Sequence, residues 1–235
     1  MTVTDALLAP VLAADARRPL ITFYDDATGE RLEFSGETLA NWVAKTANLL
    51  RDECDVEPGT RVSVALPAHW QKAVALLGAW WCGAQVVPAD ADDVAVALVD
   101  AEHLGATADL VVGFSLDAFG RPLADLPGDA VDYASEVRMH GDHFTPDPVA
   151  GSAPALGDAT VDAVVDLSRR RAAALGYDAD TRLLSTADWP VAAEGGLVDG
   201  LLAVLAAGGS LVQVRHADLS ALDRRAGAEK VSGRL

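Results

Sequence analysis

Residues 73–88 read AVALLGAWWCGAQVVP, a run of sixteen residues with one polar side chain, Gln85. A membrane-spanning helix needs about 20 apolar residues, so this run is too short to cross a bilayer. Its Ala-, Leu- and Trp-rich half is typical of a buried helix, Gly83 is typical of a helix end, and the Gln-Val-Val that follows is typical of a short strand. The run therefore predicts a core helix from about His69, followed by a core strand at 85–87.

The segments before this run predict a hairpin, a helix and a strand. Residues 21–25 and 31–34 form two short strand patterns joined by a glycine-bearing turn. Ser35 stands where its hydroxyl can cap a helix, and apolar residues then recur every three or four positions until about residue 52. After a Pro-Gly break, residues 61–66 form an apolar strand pattern that leads into the run.

The segments after the run continue the alternation of helices and strands. The patterns predict helices at 92–103, 160–175, 194–207 and 219–226, and strands at 108–113, 182–185 and 210–214. The interval 119–159 contains five prolines and one candidate strand at 130–133, which is typical of surface connections.

The strands are short apolar runs without alternation, which is typical of a mainly parallel sheet covered by helices on both faces. We therefore predict an α/β fold with flanking helices, as one domain over 1–235. It divides into a first block at 1–118, an irregular connection at 119–159 and a second block at 160–235.

The composition narrows the classes of partner. The chain has 235 residues, with 35 acidic against 18 basic side chains and a formal net charge of -17. This negative field disfavours nucleic acid and anionic lipid. The N-terminus has no basic segment ahead of an apolar stretch, so we expect no secretory signal, no membrane span and a cytoplasmic location. Two cysteines, Cys54 and Cys82, are too few for a disulfide framework.

The order of these segments resembles the N-terminal part of the adenylate-forming superfamily of acyl-CoA synthetases, adenylation domains and luciferases. The resemblance lies in LEFSGETLANWVAKTANLL (32–50), VEPGTRVSVALPAHWQKAVALLGAWWCGAQVVP (56–88) and RLLSTADWPVAAEGGLVDGLLAVLAAGGSLVQV (182–214). Residues 59–62 stand where that superfamily has a Gly-Asp-Arg-Val strand start, and 83–88 stand at its Gly-Ala-x-x-x-Pro strand. The resemblance implies the fold of the N-terminal half of an adenylate-forming large domain.

The superfamily's phosphate loop, of the type Thr-Ser-Gly-Thr-Thr-Gly-x-Pro-Lys, has no counterpart in this chain. Glycine N–H groups, hydroxyls and a lysine bind the triphosphate in such loops. The corresponding interval here, FTPDPVAGSAPALGDATVDAVVD (144–166), has four aspartates and neither lysine nor arginine. The chain also ends before the superfamily's adenine- and ribose-binding segments and its C-terminal catalytic lysine. These departures predict no nucleotide cofactor and no catalytic residues.

The resemblance places a ligand pocket near 189–196. Trp189, Gly195 and Gly196 are the candidates to line it, and the alternative is that Trp189 packs in the core while the glycines allow close helix packing. No Ser/His/Asp or Cys/His constellation is recognisable. An enzyme of different chemistry at Trp189 remains a third, weaker hypothesis.

Three polar clusters have both a functional and a structural interpretation. His140 and His143, with Asp147 nearby, can be metal ligands, but two histidines in a loop without a third ligand are usually solvated, and we predict no metal. The arginines at 169–171 can bind phosphate or an acidic partner, yet consecutive helical residues point in different directions, which favours a solvated face. The aspartates at 90–93 are interpreted as the N-terminal cluster of the helix at 92–103.

The leading hypothesis is a degenerate, non-catalytic homologue of acyl-CoA synthetases. Its partner would be another protein or a second copy of the chain, or a small acyl or nucleotide-like ligand. The alternative is an enzyme fragment that completes an acyl-adenylating site in trans with a second chain.

Overall fold

The structure is a computed structural model, and it describes residues 1–118 and 120–235. The α-helices are α1 (Val3–Asp15), α2 (Gly36–Cys54), α3 (Trp70–Trp81), α4 (Tyr133–Glu136), α5 (Val161–Leu175), α6 (Ala203–Ala207) and α7 (Leu222–Ala228). The strands are β1 (Pro19–Asp25), β2 (Glu30–Ser35), β3 (Arg61–Ala65), β4 (Gln85–Val87), β5 (Val96–Asp100), β6 (Leu110–Phe114), β7 (Val131–Asp132), β8 (Pro154–Leu156), β9 (Ala159–Thr160), β10 (Arg182–Ser185), β11 (Ser210–Arg215) and β12 (Gly233–Arg234). A 3-10 turn (Val137–Met139) follows α4, and a π-helix (Leu197–Leu202) precedes α6.

The strands of the described residues form two mostly parallel sheets. One has the order β12-β10-β11-β1-β2 and the other β7-β6-β5-β3-β4-β8-β9. In the described part of the chain, the antiparallel pairs are the hairpins β1–β2 and β8–β9. The predicted α/β fold with a mainly parallel sheet and flanking helices is confirmed, although the sequence patterns did not indicate that the strands divide between two sheets.

The run at 73–88 folds as its pattern predicts. His69 is the N-cap of α3, Gly83 follows the helix with a φ of +82°, and β4 comes next. Upstream, the Ser35 hydroxyl accepts a hydrogen bond from Thr38 N at 3.1 Å and caps α2. Local pattern was sufficient here because each helix end carries its own capping residue.

Other predictions were wrong or incomplete. Residues 92–103 contain β5 instead of a helix, so the aspartates at 90–93 are not a helix N-terminal cluster. The helix predicted at 194–207 begins at Leu197, and its first six residues are π-helical. In the interval 119–159 the candidate strand at 130–133 is confirmed as β7, but the interval also contains α4, β8 and the start of β9. Its first residue, Phe119, lies outside the described residues.

One large buried cluster joins the two sheets. Leu7 of α1, Ile21 of β1, Val62 of β3 and Leu76 of α3 all belong to it, and each is almost fully buried. Leu183 of β10 and Leu211 of β11 belong to the same cluster, so strands of both sheets share this core. None of the helices within residues 1–118 and 120–235 is long and apolar enough to cross a membrane.

Candidate functional site

A cleft of about 590 Å³ lies where strands of both sheets end. On one side it is lined by residues at or just beyond the carboxyl ends of β3, β4 and β5, including Leu66, Pro88 and Asp100. On the other side it is lined by Asp188 after β10 and Arg215 at the end of β11. Open parallel sheets bind ligands outside the carboxyl ends of their strands, and the volume is typical of a small-molecule site. We take this cleft as the candidate functional site.

Lys72 is the buried cation of the cleft. It is the third residue of α3, its side chain is 4% exposed, and its Nζ donates a hydrogen bond to Leu66 O at 2.6 Å. Burial lowers the pKa of its amine to about 8, while the carboxylates of Asp188 and Asp100 act in the opposite direction. A cleft residue with a strongly perturbed pKa is a functional candidate.

The start of α3 explains why Lys72 faces the cleft. The preceding loop leaves β3 and ends at His69, whose Nδ1 accepts a hydrogen bond from Gln71 N at 3.1 Å. Burial, with a smaller effect of Arg215, lowers the pKa of His69 to about 3, so its ring remains neutral and able to accept this bond. The cap starts the helix immediately beyond the end of β3, and Lys72 therefore stands in its first turn.

The remaining charged groups make the cleft more acidic than basic. Asp100, Glu102 and Asp188 line it together with the cations Lys72 and Arg215. Asp100 is also paired with His103, whose Nδ1 lies 2.6 Å from a carboxylate oxygen. Three carboxylates against two cations disfavour a polyanion such as a triphosphate, because like charges in a confined cleft repel it.

The predicted pocket residues occupy different places. Trp189 is 1% exposed and forms part of the cleft wall, whereas Gly195 and Gly196 are not among the described residues that line the cleft. A Cβ on Gly196 would clash with the backbone oxygen of Asp188, so glycine permits a close approach of two backbone segments there. Within the described residues the indole Nε1 of Trp189 has no hydrogen-bond partner, and it lies 3.4 Å from where a Cβ on Gly200 would be.

The histidine cluster (His140 and His143) and the arginine cluster (169–171) of the sequence analysis do not form binding sites. No group of three metal-binding side chains occurs in the part of the chain that the structure describes, including around His140 and His143. Arg171 binds Asp199 of the π-helix through two hydrogen bonds of 2.7 and 2.9 Å. Arg169 and Arg170 are exposed on α5. The three arginines therefore point in different directions, as helix geometry requires.

At the place of the superfamily's phosphate loop the chain makes a tight turn between β8 and β9. Gly157 N donates to Val86 O at 2.8 Å, and Gly157 O accepts from Gln85 Nε2 at 3.0 Å. The carboxylate of Asp162, which follows the turn, packs against Gly151, which precedes it, and a Cβ on Gly151 would clash with this carboxylate. The backbone groups of the turn bind β4, and acidic side chains flank it.

Sequence reasoning missed Lys72. The signal was present, because Lys72 is the sole charged residue of α3 and directly precedes the apolar run. A lysine at the start of a buried helix that follows a strand can mark the carboxyl edge of a sheet. The acidic residues across the cleft could not be assigned, since they lie in distant parts of the chain.

No protein-family model matches the chain. A protein from Mycobacterium tuberculosis (strain ATCC 25618 / H37Rv), described as a TIGR03089 family protein, is 49% identical to it over 245 residues. The alignment covers 98% of this chain and 97% of that protein.

Solved structures of acyl-activating enzymes have a similar fold. An acyl-CoA synthetase from Brucella canis superposes with a TM-score of 0.80 at 15% identity and covers 100% of this chain and 47% of its own. A mutant coronafacic acid ligase from Pectobacterium brasiliense gives 0.77 at 10% identity, covering 100% and 50%. The anthranilate CoA ligase AuaEII in complex with anthranoyl-AMP gives 0.67 at 12% identity, covering 90% and 44%. This chain thus spans about half the length of each of these structures, and at such identities the likeness shows the fold alone.

Proposed function

Because the chain belongs to the TIGR03089 family and has the fold of the N-terminal half of acyl-CoA synthetases, we propose that it is a non-adenylating ligand-binding protein. Its ligand is a small, largely apolar molecule of the acyl type, held in the cleft at the carboxyl ends of the strands. Fold kinship by itself does not carry activity, so the proposal depends on the chemistry of the two places where the ligand and the nucleotide would bind.

The turn between β8 and β9 is the observation that carries the proposal. A triphosphate is held by free backbone N–H groups and a cation. Here Gly157 N already donates to Val86 O, and Asp158 and Asp162 add negative charge to the same segment. ATP would have to displace a backbone hydrogen bond and approach two carboxylates, so we expect no acyl-adenylate from this chain.

The cleft supports the binding half of the proposal. Its walls include Val64, Leu66, Pro88 and Val191, which suit a hydrocarbon chain, and Lys72 offers a polar contact at its base. Mostly apolar walls with a few polar groups are typical of small-molecule sites. The acidic side chains favour an uncharged or acyl-type ligand over a nucleotide.

Thermal unfolding with a ligand panel tests the proposal. The panel contains short and medium-chain carboxylic acids and their neutral analogues, acyl-CoAs, coenzyme A, AMP and ATP with magnesium. A ligand at about 100 times its Kd should stabilise the folded state by about 2.7 kcal/mol. Acyl-adenylate formation by the purified chain, or a shift with nucleotides alone, would refute the proposal. A panel without effect would redirect the search to protein partners.

A pair of matched variants localises the binding. Ala89 is exposed and lines the cleft, so Ala89→Trp should fill the cleft without disturbing the core. Ala27 is also exposed and lies in the hairpin turn after β1, which makes Ala27→Trp the control. The thermal shift should disappear in the first variant and persist in the second.

The alternative is a chain that completes an acyl-adenylating site in trans, and the surface gives it less support. A large complementary subunit would cover a contiguous apolar face. In the described part of the chain, four large apolar side chains are exposed, those of Met1, Met139, Leu219 and Leu235, and these are too few to build such a face. Acyl-adenylate formation that appears only after a second polypeptide is added would establish the alternative.

A further inference from the structure

Lys72 combines burial with access to a cavity, which is unusual for a lysine that has only a structural role. Lys72 is 4% exposed and still forms part of the cleft wall, and its Nζ donates a hydrogen bond to Leu66 O. An ammonium group has three donors, and burying it is costly unless they are satisfied. The amine also stands in the first turn of α3, where the helix dipole is positive and disfavours a cation.

These surroundings leave part of the Lys72 amine neutral near physiological pH. Burial lowers the pKa of the amine to about 8. At pH 7.5 about a quarter of the molecules would then carry the unprotonated amine. A neutral lysine amine in a desolvated site is a nucleophile toward carbonyl carbon.

We propose that Lys72 holds the ligand covalently and reversibly, as an imine with the carbonyl carbon of a small aldehyde or ketone. The inference rests on the proposed function, because it places the ligand in the same cleft, and it deepens that function by naming the ligand class. Neither the fold nor the resemblance assigns a role to Lys72.

The charges of the cleft select a carbonyl compound over an anion. A carboxylate or a phosphate would share the cleft with Asp100, Glu102 and Asp188, which outnumber the cations Lys72 and Arg215. A carbamate formed from carbon dioxide would place a new negative charge among the same carboxylates. An aldehyde or ketone brings no charge, and its hydrocarbon part can lie against the apolar walls.

The reaction needs no group beyond the amine and the carbonyl compound. The lone pair of Nζ attacks the carbonyl carbon, a C–N bond forms as the C=O π bond breaks, and one amine proton moves to the oxygen to give a carbinolamine. The C–O bond then breaks, the oxygen leaves as water with the second amine proton, and a C=N bond forms. A proton from solvent gives the protonated imine, and no electron is gained or lost. Asp188 and Asp100, which favour the charged form of Lys72, also stabilise the protonated imine.

Reductive trapping tests the inference on the full chain. We would incubate the protein with pentanal and cyanoborohydride at pH 7.5, which converts an imine to a stable secondary amine, and map the modified residues by mass spectrometry. Lys45, Lys230 and the N-terminal amine of Met1 are the internal references, since these three amines and Lys72 are the primary amines of the sequence. Lys72 should be modified at least tenfold faster than Lys230 at low pentanal concentration, and its rate should saturate.

Two variants keep the test interpretable. Lys72→Met should lose the fast modification, and Ala89→Trp should lose it with Lys72 still present, because the cleft is filled. If Lys72→Met does not fold, Ala89→Trp still decides the outcome. A Lys72 rate equal to or below that of Lys230, or a rate that rises linearly without saturation, would overturn the inference.

The same experiment separates this inference from the proposed function. Pentanol and pentanoic acid match the probe in chain length but cannot form an imine. Stabilisation by either compound without trapping at Lys72 would leave the binding function standing and refute the covalent step. The absence of trapping together with the absence of stabilisation by every acyl-type compound of the panel would refute both proposals.

Discussion

Replacing Lys72 by methionine should remove one pH-dependent part of the free energy of unfolding. The folded state holds the pKa of this amine at about 8, below its ordinary value of 10.5. Between these two pH values the unfolded chain binds more protons than the folded one, so the contribution of Lys72 to stability rises with pH. From pH 7 to pH 9 this rise amounts to about 1.3 kcal/mol.

Urea unfolding followed by tryptophan fluorescence at pH 7, 8 and 9 measures the effect. The thiols of Cys54 and Cys82 act in the opposite direction, because burial raises the pKa of each to about 12 and their stabilisation is lost above pH 9. They are present in both proteins and cancel in the difference. Lys230→Met is the matched control, since Lys230 is exposed.

The wild type should gain stability relative to Lys72→Met as the pH rises from 7 to 9, while its difference from Lys230→Met should stay constant. Parallel pH profiles for the wild type and Lys72→Met would show that Lys72 is protonated throughout this range. That result would refute both the desolvated environment assigned to the amine and its readiness to act as a nucleophile.

Three further substitutions test buried contacts, each by urea unfolding. Gly78→Ala should lower the free energy of unfolding at pH 7 by about 1–3 kcal/mol, because the new Cβ would lie 2.9 Å from Thr46 Cγ2. Adding Thr46→Ser, which removes that methyl group, should restore part of the stability. Trp80→Phe should lower the free energy of unfolding by about 2 kcal/mol, since the Trp80 Nε1 donates a hydrogen bond to the buried Ala155 O at 2.7 Å. An unchanged urea midpoint would contradict this. Glu229→Gln should cost about 2 kcal/mol at pH 7. Burial raises the pKa of Glu229, but its hydrogen bonds together outweigh burial and lower the pKa. The difference in unfolding free energy between the wild type and Glu229→Gln should therefore shrink as the pH falls below 4.5.

Sequence patterns predicted elements whose signals are local. The hairpin of β1 and β2, the Ser35 cap and the helix–strand run at 73–88 each depend on residues within one or two turns of one another. Residues 96–100 were predicted as part of a helix because a five-residue apolar run fits a buried helix and a buried strand equally well. These residues form a strand because they pair with β3 on one side and with β6 on the other. The five-residue run contains no information about either neighbour.

The sequence by itself determined the α/β class and the negative charge, because composition, periodicity and capping are properties of short segments. The resemblance to adenylate-forming enzymes added the expectation that their phosphate loop has no counterpart here. Only the tertiary structure decided that there are two sheets among the described residues and that their strand ends meet in one cleft. Lys72 and Asp188 are more than a hundred residues apart in the chain, and packing of the shared core brings them together. The pKa of an amine depends on solvent and charge around it in space, so its chemistry became visible only in the folded protein.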